Sequence, residues 1–189
     1  GMFYLGEPIG VLRVYADHKR RFTTRQRNLL RTVAAQAAIA VVNARLLEAR
    51  VKAATTERQL ETAGQVQTRM VLTPPPQHPQ IESALVFEPS SHVSGDFCDI
   101  LTLGDGRLAA VVGDVVGHGV PAALVMASAR GALRAAARNT GSLVELMHLL
   151  NEHICRETTP SEFVTLLIVA VAHDARRLDY INAGHEPLL

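Results

Sequence analysis

The stretch that decides the fold lies between positions 93 and 119, where the chain reads VSGDFCDILTLGDGRLAAVVGDVVGHG. Two apolar segments, Phe97 to Leu103 and Arg107 to Val112, are separated by residues 104–106, which read GDG. The Asp-Gly dipeptide in this stretch is typical of a tight hairpin turn. Each segment has an aspartate beside its outer end, Asp96 before the first and Asp114 after the second. The pattern predicts an antiparallel hairpin with two carboxylates at its open end.

The sequence around this hairpin contains both helical and strand patterns. In chain order they are a strand at Ala84 to Phe87, helices from about Pro121 to Arg138 and from about Ser142 to Arg156, and strands at Phe163 to Ala172 and Leu178 to Ala183. Strands, then two helices, then strands again are typical of an α+β fold with antiparallel hairpins. The same order argues against a doubly wound parallel sheet.

The sequence before the hairpin divides at a proline cluster. Residues 73–80 contain four of the nine prolines, which predicts a domain boundary there. Upstream of it, two short strand patterns, Met2 to Leu5 and Ile9 to Tyr15, precede a long helix predicted from Thr24 to about Met70. Gly64 is the only glycine or proline in that run, so the helix is predicted to be continuous.

Apolar residues recur in this helix at alternating intervals of three and four. Their positions are Leu30, Val33, Ala37, Ala40, Ala44, Leu47, Val51 and Ala54. This is the spacing of a coiled-coil seam, and it favours association of the helix with a second copy. The alternative is an ordinary globular helix with an alanine-rich packed face.

Composition and charge exclude several classes of protein. The chain has 189 residues, 48% of them hydrophobic, and a formal net charge of +1, which argues against a nucleic-acid-binding surface. The longest apolar stretch, Phe163 to Ala172, is too short to cross a bilayer. Two cysteines, Cys98 and Cys155, do not make a disulfide framework. We therefore expect a cytoplasmic protein that binds neither nucleic acid nor membrane.

Asp96 and Asp114 are the candidate metal ligands. Two carboxylates brought together by neighbouring strands repel each other unless a cation lies between them. Oxygen donors suit Mg²⁺ or Mn²⁺, and two such ions can share a hydroxide that attacks a phosphorus centre. The alternative is that an aspartate next to a glycine is only a turn residue, as Asp105 is expected to be. This alternative is weaker for Asp96 and Asp114, which adjoin apolar strand residues.

Three ordered blocks of sequence resemble one family of enzymes. Residues 93–99 read VSGDFCD, residues 113–124 read GDVVGHGVPAAL, and residues 182–189 read NAGHEPLL. Together they resemble the SpoIIE-like branch of the PPM family, the metal-dependent protein serine/threonine phosphatases. The resemblance implies a partial α-β-β-α sandwich, in which antiparallel sheets are flanked by helices.

The N-terminal region resembles the end of a GAF sensor domain. This resemblance rests on residues 10–15, which read GVLRVY, and on residues 34–46, which read AAQAAIAVVNARL. Together the two resemblances imply three regions. Residues 1–46 are then the C-terminal part of a GAF-like domain, residues 47–72 a linker or coiled-coil helix, and residues 73–189 the phosphatase domain.

The phosphatase resemblance assigns roles to residues of the first two blocks. Asp96 and Asp114 match the family's catalytic, metal-binding aspartates, and Val115 matches the residue that offers a backbone carbonyl to the metal. The residues that match the loops shaping the site are Gly95, Gly113, Gly117, His118 and Gly119. For His118 a hydrogen bond that braces the loop is favoured over the alternative, proton transfer. Ser94 stands where the family commonly has glycine.

The resemblance also implies an activity, a cofactor and partners. Water activated by Mn²⁺ or Mg²⁺ attacks a phosphoserine or phosphothreonine, and the usual substrate in this branch is an anti-anti-sigma (STAS-domain) protein. The family carries further metal-binding aspartates after the block at residues 182–185, and this sequence contains none of them. We therefore expect a phosphatase domain truncated at its C-terminal side, an incomplete two-metal site and a homodimer formed through the linker helix. The alternative is a catalytically silent regulatory or dimerisation module of the same ancestry.

Polar clusters elsewhere on the two later helices are interpreted as surface. One cluster recurs every four residues and shares a helix face, Arg130, Arg134 and Arg138. We interpret that face as solvated, the alternative being contact with an acidic or phosphorylated partner. The second cluster does not share a helix face, which favours helix surface over a zinc site: His148, His153 and Cys155.

Overall fold

The structure is a computed structural model that describes residues 1–186. The elements are β1 (Met2–Tyr4), β2 (Glu7–Gly10), α1 (Thr24–Val71), β3 (Phe97–Thr102), β4 (Leu108–Val115), α2 (Gly119–Ala137), α3 (Leu143–Glu157), β5 (Val164–Val171) and β6 (Leu178–Ala183). The chain divides into two compact units, Gly1–Arg58 and Gln59–Leu189, and the division falls inside α1. The predicted boundaries after residues 46 and 72, and the GAF-like assignment, stay predictions. Residues 187–189, the end of the third motif block, lie outside the described residues.

Helix α1 begins at its predicted cap. Thr23 Oγ1 accepts a hydrogen bond from the backbone N–H of Gln26 at 3.2 Å, and Gln26 Oε1 accepts one from the backbone N–H of Thr23 at 3.0 Å. This reciprocal pair is a capping box, which satisfies backbone amides that have no partner inside the helix. The helix ends at Val71, shortly before Pro74, because proline cannot continue it. The prediction of one continuous helix is confirmed.

The first unit packs the β1–β2 hairpin against one face of α1. The buried members of its small apolar cluster are Met2, Ala34 and Ala38. The predicted second strand, Ile9 to Tyr15, is wrong in extent, because β2 ends at Gly10. Gly10 already pairs with Met2 at the start of β1, so the next residues have no strand partner in the described part of the chain.

Helix α1 also contains an 18-residue window that is long and apolar enough, by length and composition alone, to cross a membrane. Continuous apolar runs in the sequence do not reveal this property, because polar residues such as Gln36 and Asn43 interrupt the apolar residues of the helix. A helix that associates with another protein helix has the same composition. The expectation that the chain binds no membrane therefore stays a prediction.

The second unit is built on a four-stranded antiparallel sheet with α2 and α3 on one face. The strand order is β3-β4-β5-β6, so every strand pairs with its neighbour in the sequence. Burial alternates along β4, where Val111 and Val115 belong to the core while Val112 and Asp114 are exposed. The largest fully buried side chains of this core include Met126, Leu133, Leu146, Leu150, Leu166 and Ile168.

The opposite face of this sheet is partly open. Val112 is 40% exposed and Tyr180 is 64% exposed there. The α+β class and the antiparallel sheet with flanking helices are confirmed. Among the described residues, the second unit contains one of the two sheets, and one of the two helical layers, of the predicted sandwich.

The strand predicted at Ala84 to Phe87 is not among the strands of the described chain. Leu85 and Phe87 pack against the core, which explains the apolar alternation in the sequence. The carbonyl of Val86 accepts a hydrogen bond from the thiol of Cys98, with an Sγ–O distance of 3.8 Å, and does not join a ladder of backbone hydrogen bonds. The alternation here therefore reflects packing of side chains and not strand pairing.

Candidate metal centre

Asp96 and Asp114 lie side by side at one end of the sheet. Asp96 immediately precedes β3, and Asp114 is the second-last residue of β4. Because Phe97 pairs with Gly113, the two aspartates occupy the next positions outward on neighbouring strands. Both residues are exposed to solvent. The structure thus brings together the two carboxylates that the sequence singles out.

Strand β4 continues beyond its predicted end at Val112. Asp114 pairs with Thr165 and Val115 pairs with Val164, since β5 is long enough to hold these residues in the ladder. Asp114 and the Val115 carbonyl are therefore positioned by strand pairing on a rigid sheet. A loop would hold them less firmly.

The two carboxyl groups repel each other. The pKa of Asp114 is raised from its ordinary value of 3.8, first by partial burial and then by the negative charge of Asp96 and a hydrogen bond between the two side chains. The nearby His185 acts in the opposite direction and lowers the pKa of Asp114. A cation between the two carboxylates would remove this repulsion, which is the electrostatic signature expected of an oxygen-ligand metal site.

The backbone carbonyl of Val115 lies against Gly95. A Cβ atom added to Gly95 would come within 2.7 Å of that oxygen, so only glycine fits at this position without a shift of the backbone. Asp96 is the next residue after Gly95. The predicted carbonyl donor is thus adjacent to the loop that carries the first carboxylate.

The other glycines of the site have distinct roles. A Cβ at Gly113 would lie 2.5 Å from the ring of Phe97, so this glycine makes room for the ring across β4. Gly117 and Gly119 have φ angles of +98° and +74°, values that favour glycine. His118 between them is exposed, and the described part of the chain shows no hydrogen bond from its side chain to the start of α2. The loop-bracing role favoured for His118, and proton transfer as its alternative, stay predictions.

His185 and Thr165 also lie at the site, and neither is among the site residues predicted from the sequence. Thr165 Oγ1 and His185 Nδ1 are hydrogen-bonded at 2.8 Å, and Thr165 lies opposite Asp114 in the ladder. Asn182 fixes the backbone of His185, accepting from its N–H at 2.9 Å and donating to its carbonyl at 3.1 Å. The third motif block contains Asn182 and His185, three positions apart, and this spacing could have indicated that His185 belongs to the site.

The donor set fits one hydrated divalent cation. Two carboxylates and a carbonyl are hard oxygen ligands, and Mg²⁺ typically uses one or two carboxylates while water fills its remaining positions. Within residues 1–186, no three side chains of His, Cys, Asp or Glu come together as a metal-binding group. A second ion would need further carboxylates, so the two-metal arrangement stays a prediction.

Replacing Asp114 by Asn is expected to stabilise the metal-free chain at pH 7. A carboxyl whose pKa is higher in the folded state stabilises the fold while it is protonated, and this contribution is lost as the pH rises through the folded pKa. The variant should therefore gain up to about 1 kcal/mol over the unaltered chain at pH 7, because the pair is exposed, and nearly nothing below the ordinary pKa. Urea unfolding in the presence of EDTA measures this difference. Equal or lower stability of the variant at pH 7 would contradict it.

The interpretation of the arginine face as solvated is wrong for two of its three members. Arg130 Nε lies 3.1 Å and Arg134 Nε 2.6 Å from Oδ2 of Asp99, whose side chain is 1% exposed. Only Arg138 is exposed. The acidic partner of these arginines is thus a buried residue of the same chain, on the strand that follows Asp96.

His148 lies at the surface of α3, as predicted. His153 is partly buried, and its Nε2 is hydrogen-bonded to the hydroxyl of Ser128 on α2 at 2.9 Å. His148 Nε2 is 3.5 Å from Glu152, and His153 Nε2 is 3.4 Å from Glu157, each one helical turn further on. Cys155 is exposed and does not form part of a metal-binding cluster within residues 1–186.

Comparison with known proteins links the C-terminal part of the chain to one family. The profile of the family described as Stage II sporulation protein E (SpoIIE) matches residues 104–189. Protein IcfG of Synechocystis sp. is 32% identical over 170 residues, which cover 76% of this chain and 27% of that protein. Phosphoserine phosphatase RsbP of Bacillus subtilis is 28% identical over 138 residues, which cover 71% of this chain and 34% of that protein. The chain therefore spans about a third or less of the length of these two curated relatives.

A solved structure with the same fold is the SiaA-PP2C domain of Pseudomonas aeruginosa. It matches with a TM-score of 0.56 and 24% sequence identity over 70% of this chain and 55% of that chain. At this level of identity the match establishes the fold and leaves the chemistry to be argued from the site.

Proposed function

We propose that this chain is a member of the SpoIIE-like branch of the PPM metal-dependent phosphatases and hydrolyses phosphoserine or phosphothreonine in a protein. The match of residues 104–189 to the SpoIIE family supports this proposal. The observation that carries the proposal is the juxtaposition of Asp96, directly before β3, and Asp114, near the end of the neighbouring strand β4. The pKa of Asp114 is raised first by partial burial and then by the charge of Asp96, and a bound cation would relieve the repulsion between the two carboxylates.

Some residues of the site would bind a cation, and others fix the positions of neighbouring side chains. Asp96, Asp114 and the carbonyl of Val115 would hold Mn²⁺ or Mg²⁺. When bound, such an ion supplies Lewis-acid polarisation and positive charge opposite the oxygens of a phosphoryl group. The hydrogen bond between Thr165 and His185 fixes the imidazole close to Asp114. In this position His185 contributes to the electrostatics of the site without needing to be a metal ligand.

We further propose that the substrate is a phosphorylated anti-anti-sigma protein with a STAS domain, acting in the cytoplasm. The name of the relative RsbP identifies that protein as a phosphoserine phosphatase, which supports a phosphorylated serine as the target group. The two cysteines of this chain, Cys98 and Cys155, are both free, which suits a reducing compartment.

The proposed function is tested by phosphate release from a phosphoserine peptide and from a phosphorylated STAS-domain protein. We expect release that depends on added Mn²⁺ and stops with EDTA, and faster release from the folded protein than from the peptide. Calorimetric titration of the chain with Mn²⁺ gives an independent measure of the metal site. Absence of both Mn²⁺ binding and Mn²⁺-dependent release would overturn the proposal.

The second candidate is a catalytically silent regulatory or dimerisation module. It is favoured by the small donor set, since residues 1–186 bring together only two carboxylates and one carbonyl. The silent module predicts no specific binding of Mn²⁺, whereas the phosphatase predicts saturable binding. The same titration therefore separates the two candidates.

We also propose that two copies of the chain form a homodimer through helix α1. Within the first unit, Leu47 is 64% and Val51 is 59% exposed, although both belong to the predicted coiled-coil seam. They are four positions apart, so they form one apolar stripe on the helix. A second copy of the chain would cover this stripe. The organisation into residues 1–46, 47–72 and 73–189 is part of the same proposal.

Replacing Leu47 by Glu is expected to convert the dimer to a monomer. A charge at a seam position faces the same charge on the second copy and cannot be buried without a large desolvation cost. Light scattering over a range of protein concentrations measures the change in mass. Ala49→Glu is the matched control, because position 49 lies about 200° around the helix from position 47. A monomeric unaltered chain at high concentration would refute the proposed dimer.

A further inference from the structure

Gln67 is a buried polar residue in the last turns of α1, within the second unit. It is 6% exposed, which is unusual for a glutamine on a helix. Its Oε1 accepts a hydrogen bond from the backbone N–H of Ser94 at 2.8 Å, and its Nε2 donates to the carbonyl of Ser94 at 2.7 Å. One side chain thus satisfies both backbone groups of a loop residue far away in the sequence, as the ladder of a sheet would.

Ser94 is in turn hydrogen-bonded to Asp96 through its hydroxyl. The hydroxyl of Ser94 donates to Oδ2 of Asp96 at 3.0 Å and accepts from the backbone N–H of Asp96, also at 3.0 Å. Ser94 is itself only 6% exposed, so water does not compete freely for these bonds. The result is a continuous chain of hydrogen bonds from Gln67 through Ser94 to the Asp96 carboxylate.

Gly64 shows that the fit between α1 and this loop is close. A Cβ atom at Gly64 would lie 1.9 Å from the carbonyl oxygen of His92, a distance that forbids any side chain without movement of the helix or the loop. Gly64 and Gln67 are three residues apart, so they lie on one face of α1. This explains why a glycine interrupts an otherwise strongly helical sequence.

We propose that Gln67 is a positioning residue for the metal centre, acting through Ser94 on Asp96. The proposal rests on the metal site assigned under the proposed function and adds a residue to it from outside the phosphatase motifs. Partners that orient a metal ligand typically change metal affinity by about 10- to 100-fold when they are lost. The hydroxyl of Ser94, where the resembled family commonly has glycine, makes this coupling possible in the present chain.

The test is a double-mutant cycle on Mn²⁺ affinity, measured by calorimetry. Gln67→Met keeps the length of the side chain and removes both bonds to Ser94, while Ser94→Ala keeps the bonds from Gln67 and removes the link to Asp96. Each single variant is expected to weaken Mn²⁺ binding about 10-fold or more. The Mn²⁺ affinity of the double variant should equal that of the single variant with the lower affinity, because both changes break the same chain of hydrogen bonds. A merely structural role of Gln67 would make the two losses multiply.

Gln65→Met is the matched control, because Gln65 is an exposed glutamine two positions away on the same helix. Amide hydrogen exchange of Ser94 gives a readout without metal, and faster exchange is expected in Gln67→Met than in Gln65→Met. Unchanged Mn²⁺ affinity in Gln67→Met, or multiplying losses in the double variant, would overturn the positioning role and leave the proposed function standing. Failure of the unaltered chain to bind Mn²⁺ would instead overturn the metal site and this inference together.

Discussion

Replacement of Asp114 by Asn is expected to slow Mn²⁺-dependent phosphate release at least about 100-fold. Loss of a partner that only orients a ligand already costs about 10- to 100-fold, and Asp114 is assigned as a ligand itself. The amide has the shape of the carboxylate but lacks the negative charge that holds a divalent cation. Steady-state release from a phosphoserine substrate at saturating Mn²⁺ measures the effect.

Two comparisons separate this loss from a general loss of folding. Asp174→Asn changes an exposed turn aspartate, which accepts a hydrogen bond from the backbone N–H of Arg176, and should leave the rate unchanged. The metal-free Asp114→Asn chain should be at least as stable as the unaltered chain, because the variant removes the repulsion from Asp96. Mn²⁺-dependent activity that survives in Asp114→Asn would refute the assignment of the metal centre.

The parts of the fold that depend on neighbouring residues could be predicted from the sequence. The cap of α1 depends on Thr23 and Gln26, three residues apart, and the helix stop depends on the prolines that follow Val71. The β3–β4 hairpin depends on a turn between two alternating segments. In each case the deciding interactions lie within a few residues, so their spacing is visible in the printed sequence.

The supporting contacts of the site could not be predicted, because they join residues far apart in the chain. Gln67 and Ser94 are 27 positions apart, and Asp99 and Arg134 are 35 positions apart. Sequence spacing places Gln67 on a helix and Arg134 on a helix face, but it does not say which distant group each side chain meets. The error over the arginine face has the same cause: a face charged at every fourth residue is normally solvated, and here a buried aspartate opposes it.

Replacement of Asp99 by Asn is expected to lower the free energy of unfolding by about 3–5 kcal/mol. Arg134 donates two hydrogen bonds to the Asp99 carboxylate, at 2.6 and 2.7 Å, and Arg130 Nε lies 3.1 Å from the same group. Burial lowers the pKa of Arg130, and the charge of Asp99 opposes that effect. Removing the carboxylate charge leaves two guanidinium groups close together without neutralisation, one of them buried. Urea unfolding with linear extrapolation measures the loss.

Burial, and not the number of ion pairs, sets the size of this effect. Asp179 is the matched control, since it also pairs with two arginines, Arg107 at 2.7 Å and Arg177 at 3.2 Å, but is 38% exposed. Asp179→Asn should therefore cost only about 0–1 kcal/mol. Arg130 Nε has no hydrogen-bond partner among the described residues, so Arg130→Met in the Asp99→Asn background removes an uncompensated charge and should restore part of the stability. Equal losses for Asp99→Asn and Asp179→Asn would show that water reaches the Asp99 cluster.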